Sequence, residues 1–203
     1  MILKTLLPHN NILSEITKKF PTTDKGPIKE GNKPGHNYTR FYNHYFECYR
    51  EKETYLLELG VSDGASLKVW SEYFTHPKSL ICGVDHEKRY QDWDDPKVHI
   101  VIADQKDSET ILKGFSKYTY YWDIIIDDAS HKFHDQIESW KKLWPQLQSG
   151  GLYIIEDIYD YRDENGELFG IFINDLMHNV IISRTQDIDF IHFYPEAMVI
   201  GKK

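Results

Sequence analysis

Acidic residues stand at the ends of several apolar segments, where they could bind a ligand or a metal ion. They are Asp85, Asp104, the pair Asp127-Asp128 and, within the segment 151–158, Glu156-Asp157. If these segments are strands of an open α/β sheet, their carboxyl ends share the edge at which ligands bind. For a single Asp, capping of the following helix is the alternative. A series of such acids favours a binding edge.

Three of these carboxylates have the right placement to share a metal ion. If the strands at 122–129 and 151–158 are neighbours, about 4.8 Å apart, Asp128 converges with Glu156 and Asp157. Carboxylates this close repel one another unless a cation compensates their charge. Hard oxygen ligands suit Mg²⁺ best here, with Ca²⁺ or Mn²⁺ as alternatives.

His131 follows Asp128 by three residues, which makes it a candidate general base beside the metal-bound Asp128. A metal lowers the pKa of a coordinated hydroxyl, and a neutral imidazole nearby can take its proton. The alternative for His131 is simple packing at a helix start, and packing is the favoured interpretation for His134. A zinc site formed by both is disfavoured, because their spacing lacks a third His.

A glycine-containing loop follows the first apolar segment and predicts a cofactor site. Gly60 and Gly64 allow a sharp turn and the close approach of a ligand to the backbone. Ser62 and Ala65 replace two glycines of the dinucleotide-binding pattern G-x-G-x-x-G. Glu58 would repel a pyrophosphate but could pair with an ammonium group. The loop therefore favours S-adenosylmethionine over NAD.

The next two strand ends extend this prediction to the rest of the cofactor. Asp85 could accept hydrogen bonds from both ribose hydroxyls. Asp104 and Gln105 offer a carboxylate and an amide that could bind an adenine amino group.

The elements that position these residues alternate between apolar strands and periodic helices. Predicted strands cover 55–60, 79–85, 98–104, 122–129, 151–158, 189–194 and 197–203, and predicted helices cover 37–52, 65–74, 108–118, 134–147 and 166–181. Continuous apolar strands indicate a mostly parallel sheet buried on both faces. A turn at Pro195-Glu196 closes the chain with an antiparallel hairpin. We expect a helical and loop lead-in that covers residues 1–52, then one domain at 53–203, in a single compact fold.

Composition narrows the function further. The 203 residues carry a formal net charge of −8, which disfavours nucleic acid and anionic membranes as partners. Cys48 and Cys82 form no C-x-x-C pair, and the N-terminal segment lacks the apolar region of a signal peptide. A soluble protein of the reducing cytoplasm is expected.

Several stretches resemble the metal-dependent sugar O-methyltransferases of macrolide biosynthesis and the wider class I methyltransferases often labelled cephalosporin hydroxylase-like. They are TDKG (23–26), HNYTRFY (36–42), LLELGVSDGASLKVW (56–70), GVD (83–85), ADQKD (103–107), IIIDDASHKFHDQ (124–136) and LWPQLQSGGLYIIEDIY (143–159). The resemblance implies a Rossmann-like α/β fold with seven strands, the last reversed. It also implies that the Asp127 and Glu156 strands are neighbours.

The resemblance assigns roles to individual residues. Metal ligands would be Asp128, Glu156 and Asp157, the general base would be His131, and the cofactor contacts would be Tyr38, Glu58, Gly60, Gly64, Asp85, Asp104, Gln105 and Asp127. The acceptor would be a hydroxylated small molecule such as a sugar or glycoside.

The chain departs from this family in two ways, and two other functions stay open. It lacks the large N-terminal domain of some sugar methyltransferases, and its segment 159–168 is brief. The acceptor pocket is then either open or completed by a second subunit in a homo-oligomer. The alternatives are an NAD-dependent oxidoreductase and an inactive module that only binds the cofactor.

Overall fold

The computed structural model describes residues 10–90, 94–158, 164–178, 180–181 and 187–203, with the backbone alone for 164–168. These residues fall into two compact units. The helical unit comprises the described parts of Met1–Thr54, Ser62–Ile81 and Arg89–Val98. The sheet unit comprises those of Tyr55–Val61, Cys82–Lys88 and His99–Lys203.

The helical unit is built around three short helices. They are α1 (Ile12–Thr17), α2 (Thr39–Phe46) and α3 (Ala65–Tyr73), and a small hairpin of β1 (Ile28–Lys29) and β2 (Lys33–Pro34) lies inside the predicted loop. An aromatic cluster joins two of these helices, because the Trp70 ring lies 5.3 Å from Tyr42 and 5.6 Å from Phe46. Helix α2 is shorter than the predicted 37–52. It ends at Phe46, the last residue of its buried apolar face.

The remaining elements form the sheet and its helices. Strands are β3 (Tyr55–Leu59), β4 (Leu80–Asp85), β5 (Val98–Ile102), β6 (Trp122–Asp127), β7 (Leu147–Ile155), β8 (Ile188–Tyr194) and β9 (Ala197–Lys202), and helices are α4 (Ser108–Phe115), α5 (Phe133–Leu143) and α6 (Glu164–His178). The strand order is β5-β4-β3-β6-β7-β9-β8. The predicted Rossmann-like, seven-stranded and mostly parallel sheet is confirmed.

The register of the central strands decides which residues meet at the sheet edge. Strand β6 pairs in parallel with both β3 and β7, so that Asp127 lies opposite Leu59 on one side and Ile155 on the other. Residues 124–126 of β6 are fully buried isoleucines. This agrees with the expectation that continuous apolar strands are covered on both faces. The predicted adjacency of the Asp127 and Glu156 strands is confirmed.

The predicted C-terminal hairpin is also present. Strand β9 lies between β7 and β8 and is antiparallel to both. The turn between the hairpin strands includes Glu196, whose φ of 60° is in the left-handed region. Among the residues described, no helix is long and apolar enough to cross a membrane. Residues 1–9 of the predicted lead-in and 159–163 of the predicted short segment lie outside the described residues.

Candidate functional site

Two carboxylates and an imidazole converge where β6 and β7 end. Asp128 directly follows β6, Asp157 lies two residues after β7, and His131 lies in the turn before α5. The Nε2 atom of His131 is 3.3 Å from Oδ1 of Asp128 and 3.5 Å from Oδ2 of Asp157. One ligand atom from each of the three residues lies within 4.8 Å of the others. We call these residues the DHD cluster.

The chemistry of the DHD cluster fits a divalent cation. The carboxylate oxygens of Asp128 and Asp157 are the hard ligands that Mg²⁺, Ca²⁺ or Mn²⁺ prefers. The Asp157 side chain is 10% exposed and that of Asp128 is 20% exposed, so their charges are only partly solvated. Two carboxylates in such a place are stabilised by a cation between them. Among the described residues, the cluster contains neither Glu156 nor His134.

The backbone of the DHD cluster is strained. His131 and Asp157 have φ values of 54° and 56°, and Ser130 beside His131 has 45°. A residue other than glycine rarely adopts this left-handed region, which costs on the order of 1–3 kcal/mol. Such strain persists only where surrounding contacts hold it, and it is concentrated at functional sites.

The charges around His131 favour its protonated form. The hydrogen bond to Asp128 and the negative charges of Asp128 and Asp157 raise the pKa of His131, against the opposing effect of burial. The carboxylates that suit a cation therefore also stabilise a positive charge on this imidazole.

Glu156 lies inside the protein beside the DHD cluster. It is 1% exposed, its backbone amide donates to the Asp127 carbonyl at 2.9 Å, and its own carbonyl accepts from Nε2 of Gln136 at 2.9 Å. Gln136 is a residue that the sequence interpretation missed. Its position on an amphipathic helix gave no sign that its side chain is buried.

Asp127 belongs to a buried polar network behind the cluster. Its Oδ1 accepts from Nε2 of Gln105 at 3.3 Å, and the same nitrogen donates to Oγ of Ser139 at 3.2 Å. Burial raises the pKa of Asp127 to about 7, and the nearby charge of Asp128 acts in the same direction. The Gln105 amide, predicted to contact adenine, therefore points into this network. The sequence pattern also did not predict that Ser139 belongs to this network.

The turn after β3 packs against the backbone of the metal strand. Gly60 has a φ of 82°, and a Cβ added there would lie 2.2 Å from the carbonyl oxygen of Asp128. The amide of Asp128 also donates to the Leu59 carbonyl at 2.9 Å. A glycine is needed at 60 because another strand end approaches it. The sequence pattern predicts instead that a ligand approaches the backbone at Gly60.

Asp85 and Glu58 lie close to this turn in the sheet unit. The carboxylate of Asp85 accepts from the amide of Val61 at 3.1 Å through Oδ2 and from Glu87 at 3.2 Å through Oδ1. Glu58 is fully buried on β3. Asp85 thus stabilises the backbone of this turn through its two hydrogen bonds.

The other predicted cofactor residues lie in different surroundings. Asp104 is exposed, and its Oδ1 accepts from the amide of Lys106 at 2.8 Å. Gly64 precedes α3 with a φ of 80°, and Tyr38 packs 5.5 Å from the Phe41 ring, both within the helical unit.

Known proteins similar in sequence to this chain include several named O-methyltransferases. The 8-demethyl-8-alpha-L-rhamnosyl tetracenomycin-C 2'-O-methyltransferase of Streptomyces olivaceus is 28% identical over 83% of this chain and 50% of its own length. The mycinamicin VI 2''-O-methyltransferase of Micromonospora griseorubida is 31% identical over 72% of this chain and 36% of its own length. The chain thus spans half or less of these relatives. No family model matches the sequence.

A solved structure supports the same relationship. The MycE methyltransferase of the mycinamycin pathway, in complex with Mg, S-adenosylhomocysteine and mycinamycin VI, superposes with a TM-score of 0.77 and 26% identity. The match covers 95% of this chain and 55% of MycE. The chain is therefore similar in sequence to these tetracenomycin and mycinamicin O-methyltransferases, and similar in fold to MycE.

Proposed function

We propose that this chain is an S-adenosylmethionine-dependent O-methyltransferase, assisted by a divalent metal, that acts on a hydroxyl of a sugar or similar small molecule. The observation that carries the proposal is the DHD cluster at the ends of β6 and β7. The cluster would combine a cation site with a proton acceptor, and the chain resembles in fold MycE, which was solved with Mg and S-adenosylhomocysteine. The acceptor is a glycoside or related hydroxylated compound, as it is for the relatives named above.

Roles of individual residues are part of the same proposal. Asp128 and Asp157 would hold Mg²⁺, or alternatively Mn²⁺ or Ca²⁺, and Glu156 would complete the predicted ligand set. Such a cation, when bound, lowers the pKa of an acceptor hydroxyl. The buried carboxylate of Glu58 and that of Asp85 are assigned to the amino group and ribose of the cofactor. The other residues proposed to contact the cofactor are Tyr38, Gly60, Gly64, Asp104, Gln105 and Asp127.

The proposed reaction is a displacement in which His131 takes the proton. The acceptor oxygen forms a bond to the methyl carbon, the carbon–sulfur bond breaks, and its electron pair stays on sulfur to give S-adenosylhomocysteine. The hydroxyl proton passes to the imidazole of His131 in its neutral form, and the imidazolium that results lies beside Asp128 and Asp157. These two carboxylates stabilise the imidazolium that forms.

Turnover with a panel of glycosides and nucleotide sugars tests the proposal. We expect S-adenosylhomocysteine to form with a suitable acceptor, EDTA to abolish turnover, and Mg²⁺ to restore it. Asp128→Ala should lose activity, whereas Asp189→Ala, which removes an exposed acid of β8, should retain it. Turnover that survives both EDTA and Asp128→Ala would contradict the metal-assisted mechanism.

The wider predictions are part of the same proposal. Residues 53–203 form the methyltransferase domain, and residues 1–52 are its lead-in and cover. The protein acts in the cytoplasm, without nucleic acid or membrane partners. A homo-oligomer would complete the acceptor pocket, and light scattering after size-exclusion chromatography measures the oligomeric state.

A further inference from the structure

The left-handed backbone of Asp157 is held by a hydrogen bond on each side. The peptide before it presents the Glu156 carbonyl, which accepts from Nε2 of Gln136 at 2.9 Å. The peptide after it presents the Ile158 amide, which donates to the carbonyl of Glu196 at 3.0 Å. The two peptides that flank Asp157 are therefore fixed, one by helix α5 and the other by the β8–β9 turn.

Among the described residues, burial of the Gln136 side chain leaves one of its polar atoms without a hydrogen bond, while the other binds the Glu156 carbonyl. Gln136 is 1% exposed, and within the described part of the chain its Oε1 is buried without a hydrogen-bond partner. A buried polar atom left in this way is destabilising, and an apolar residue would avoid it. Retaining an amide here keeps a donor for the Glu156 carbonyl. That carbonyl belongs to the peptide whose orientation sets φ of Asp157.

We propose that Gln136 is a positioning residue for the metal site. Its amide holds the Glu156–Asp157 peptide so that the Asp157 carboxylate stays 3.5 Å from His131, within reach of a cation shared with Asp128. The inference rests on the proposed function, because it takes Asp128 and Asp157 as metal ligands. Groups that orient metal ligands from outside commonly contribute 10–100-fold to metal affinity.

Titration with Mn²⁺ tests this role without relying on turnover. The EPR signal of free Mn²⁺ decreases as the ion binds, and this decrease gives the dissociation constant. Gln136→Met keeps the length and volume of the side chain but removes the donor to Glu156. We expect its Mn²⁺ dissociation constant to rise about 10-fold or more. Gln136→Glu, which puts an acceptor at the same place, is a second variant with the same expected direction. It serves if the Met variant does not fold.

Ser139→Ala is the matched control. Ser139 lies on the same buried face of α5 and makes hydrogen bonds to Gln105 and to the Asp135 carbonyl, but has no bond to Glu156. We expect it to lower thermal stability while Mn²⁺ affinity stays within about twofold of wild type.

Three outcomes would overturn the inference, and they are distinguishable. Unchanged Mn²⁺ affinity in a folded Gln136 variant, with wild type binding Mn²⁺, would refute positioning by Gln136 and leave the proposed function intact. The absence of Mn²⁺ binding by wild type would overturn the metal site and the inference together. Equal losses of affinity in Ser139→Ala and Gln136→Met would also overturn it, since the effect would then be one of general stability.

Discussion

His131 combines an unusual backbone with the side chain that the chemistry requires. Its left-handed φ of 54° directs Nε2 towards both carboxylates of the DHD cluster. Asn tolerates this conformation better than most residues, so that a replacement can remove the imidazole without adding backbone strain.

We therefore expect His131→Asn to fold normally and to lose about 10²–10⁴-fold in kcat, the usual contribution of a general base. His134→Asn is the control, because the His134 side chain is 67% exposed and lies outside the cluster. Steady-state kinetics of both variants, with circular dichroism to compare their folds, make the test. Equal activity in the two variants would exclude His131 as the base.

Because Gly60 has no Cβ, the backbone after β3 can pack closely against the backbone after β6. A Cβ at 60 would overlap the Asp128 carbonyl oxygen, whereas one at Gly150, with a similar φ of 78°, would meet nothing within 4 Å. Alanine at either position carries the left-handed cost of about 1–2 kcal/mol. Only at 60 does it also displace a predicted metal ligand.

Gly60→Ala should accordingly destabilise the protein by more than Gly150→Ala and should also weaken metal binding. Urea unfolding measures the first effect and Mn²⁺ titration the second. If both alanine variants lose the same stability and keep wild-type Mn²⁺ affinity, the contact with Asp128 does not constrain the site.

At the scale of elements, the last strand is tied to the end of helix α5. Nζ of Lys202 donates to the carbonyls of Trp144 at 3.1 Å and Leu147 at 2.8 Å, and its side chain is only 11% exposed. The Trp144 carbonyl directly follows α5, and the Leu147 carbonyl belongs to the first residue of β7. Lys202 thus connects the C-terminal hairpin to the chain that enters β7.

Lys202→Met keeps most of the packing but leaves both carbonyls without this donor. We expect a loss of about 1–3 kcal/mol in the free energy of unfolding, or about 2–4 °C in melting temperature for each kcal/mol. Lys203→Met is the matched control, because Lys203 is exposed. Differential scanning calorimetry at neutral pH compares the variants, and equal melting temperatures would refute the anchoring role.

The order and type of most elements could be predicted from the sequence, and the adjacency of β6 and β7 from the family resemblance, whereas the contacts of buried polar side chains could not. The run of isoleucines at 124–126 by itself indicates a strand buried on both faces, because a strand with one face in water would alternate apolar and polar residues. Gln136 and Ser139 look like solvent-facing residues of an amphipathic helix until the helix is docked. Their burial depends on which face α5 presents to the strand ends, and a periodic pattern does not specify contacts of individual polar residues.

At the scale of the whole molecule, the prediction that best separates the candidate functions is ligand-induced stabilisation. A ligand that binds only the native state stabilises it by about 2.7 kcal/mol at 100 times its dissociation constant. For a chain of 203 residues this corresponds to a rise of about 5–10 °C in melting temperature.

We expect S-adenosylhomocysteine to raise the melting temperature by this amount and NAD to leave it unchanged. The loop from Glu58 to Gly64 lacks two glycines of the dinucleotide pattern and carries a buried carboxylate unsuited to a pyrophosphate. Thermal shift with each ligand, with and without Mg²⁺, makes the comparison. Stabilisation by NAD alone would favour the oxidoreductase. Stabilisation by S-adenosylhomocysteine that is the same in wild type, His131→Asn and Asp128→Ala, together with no turnover of any acceptor by wild type, would instead favour a module that binds the cofactor without catalysing transfer.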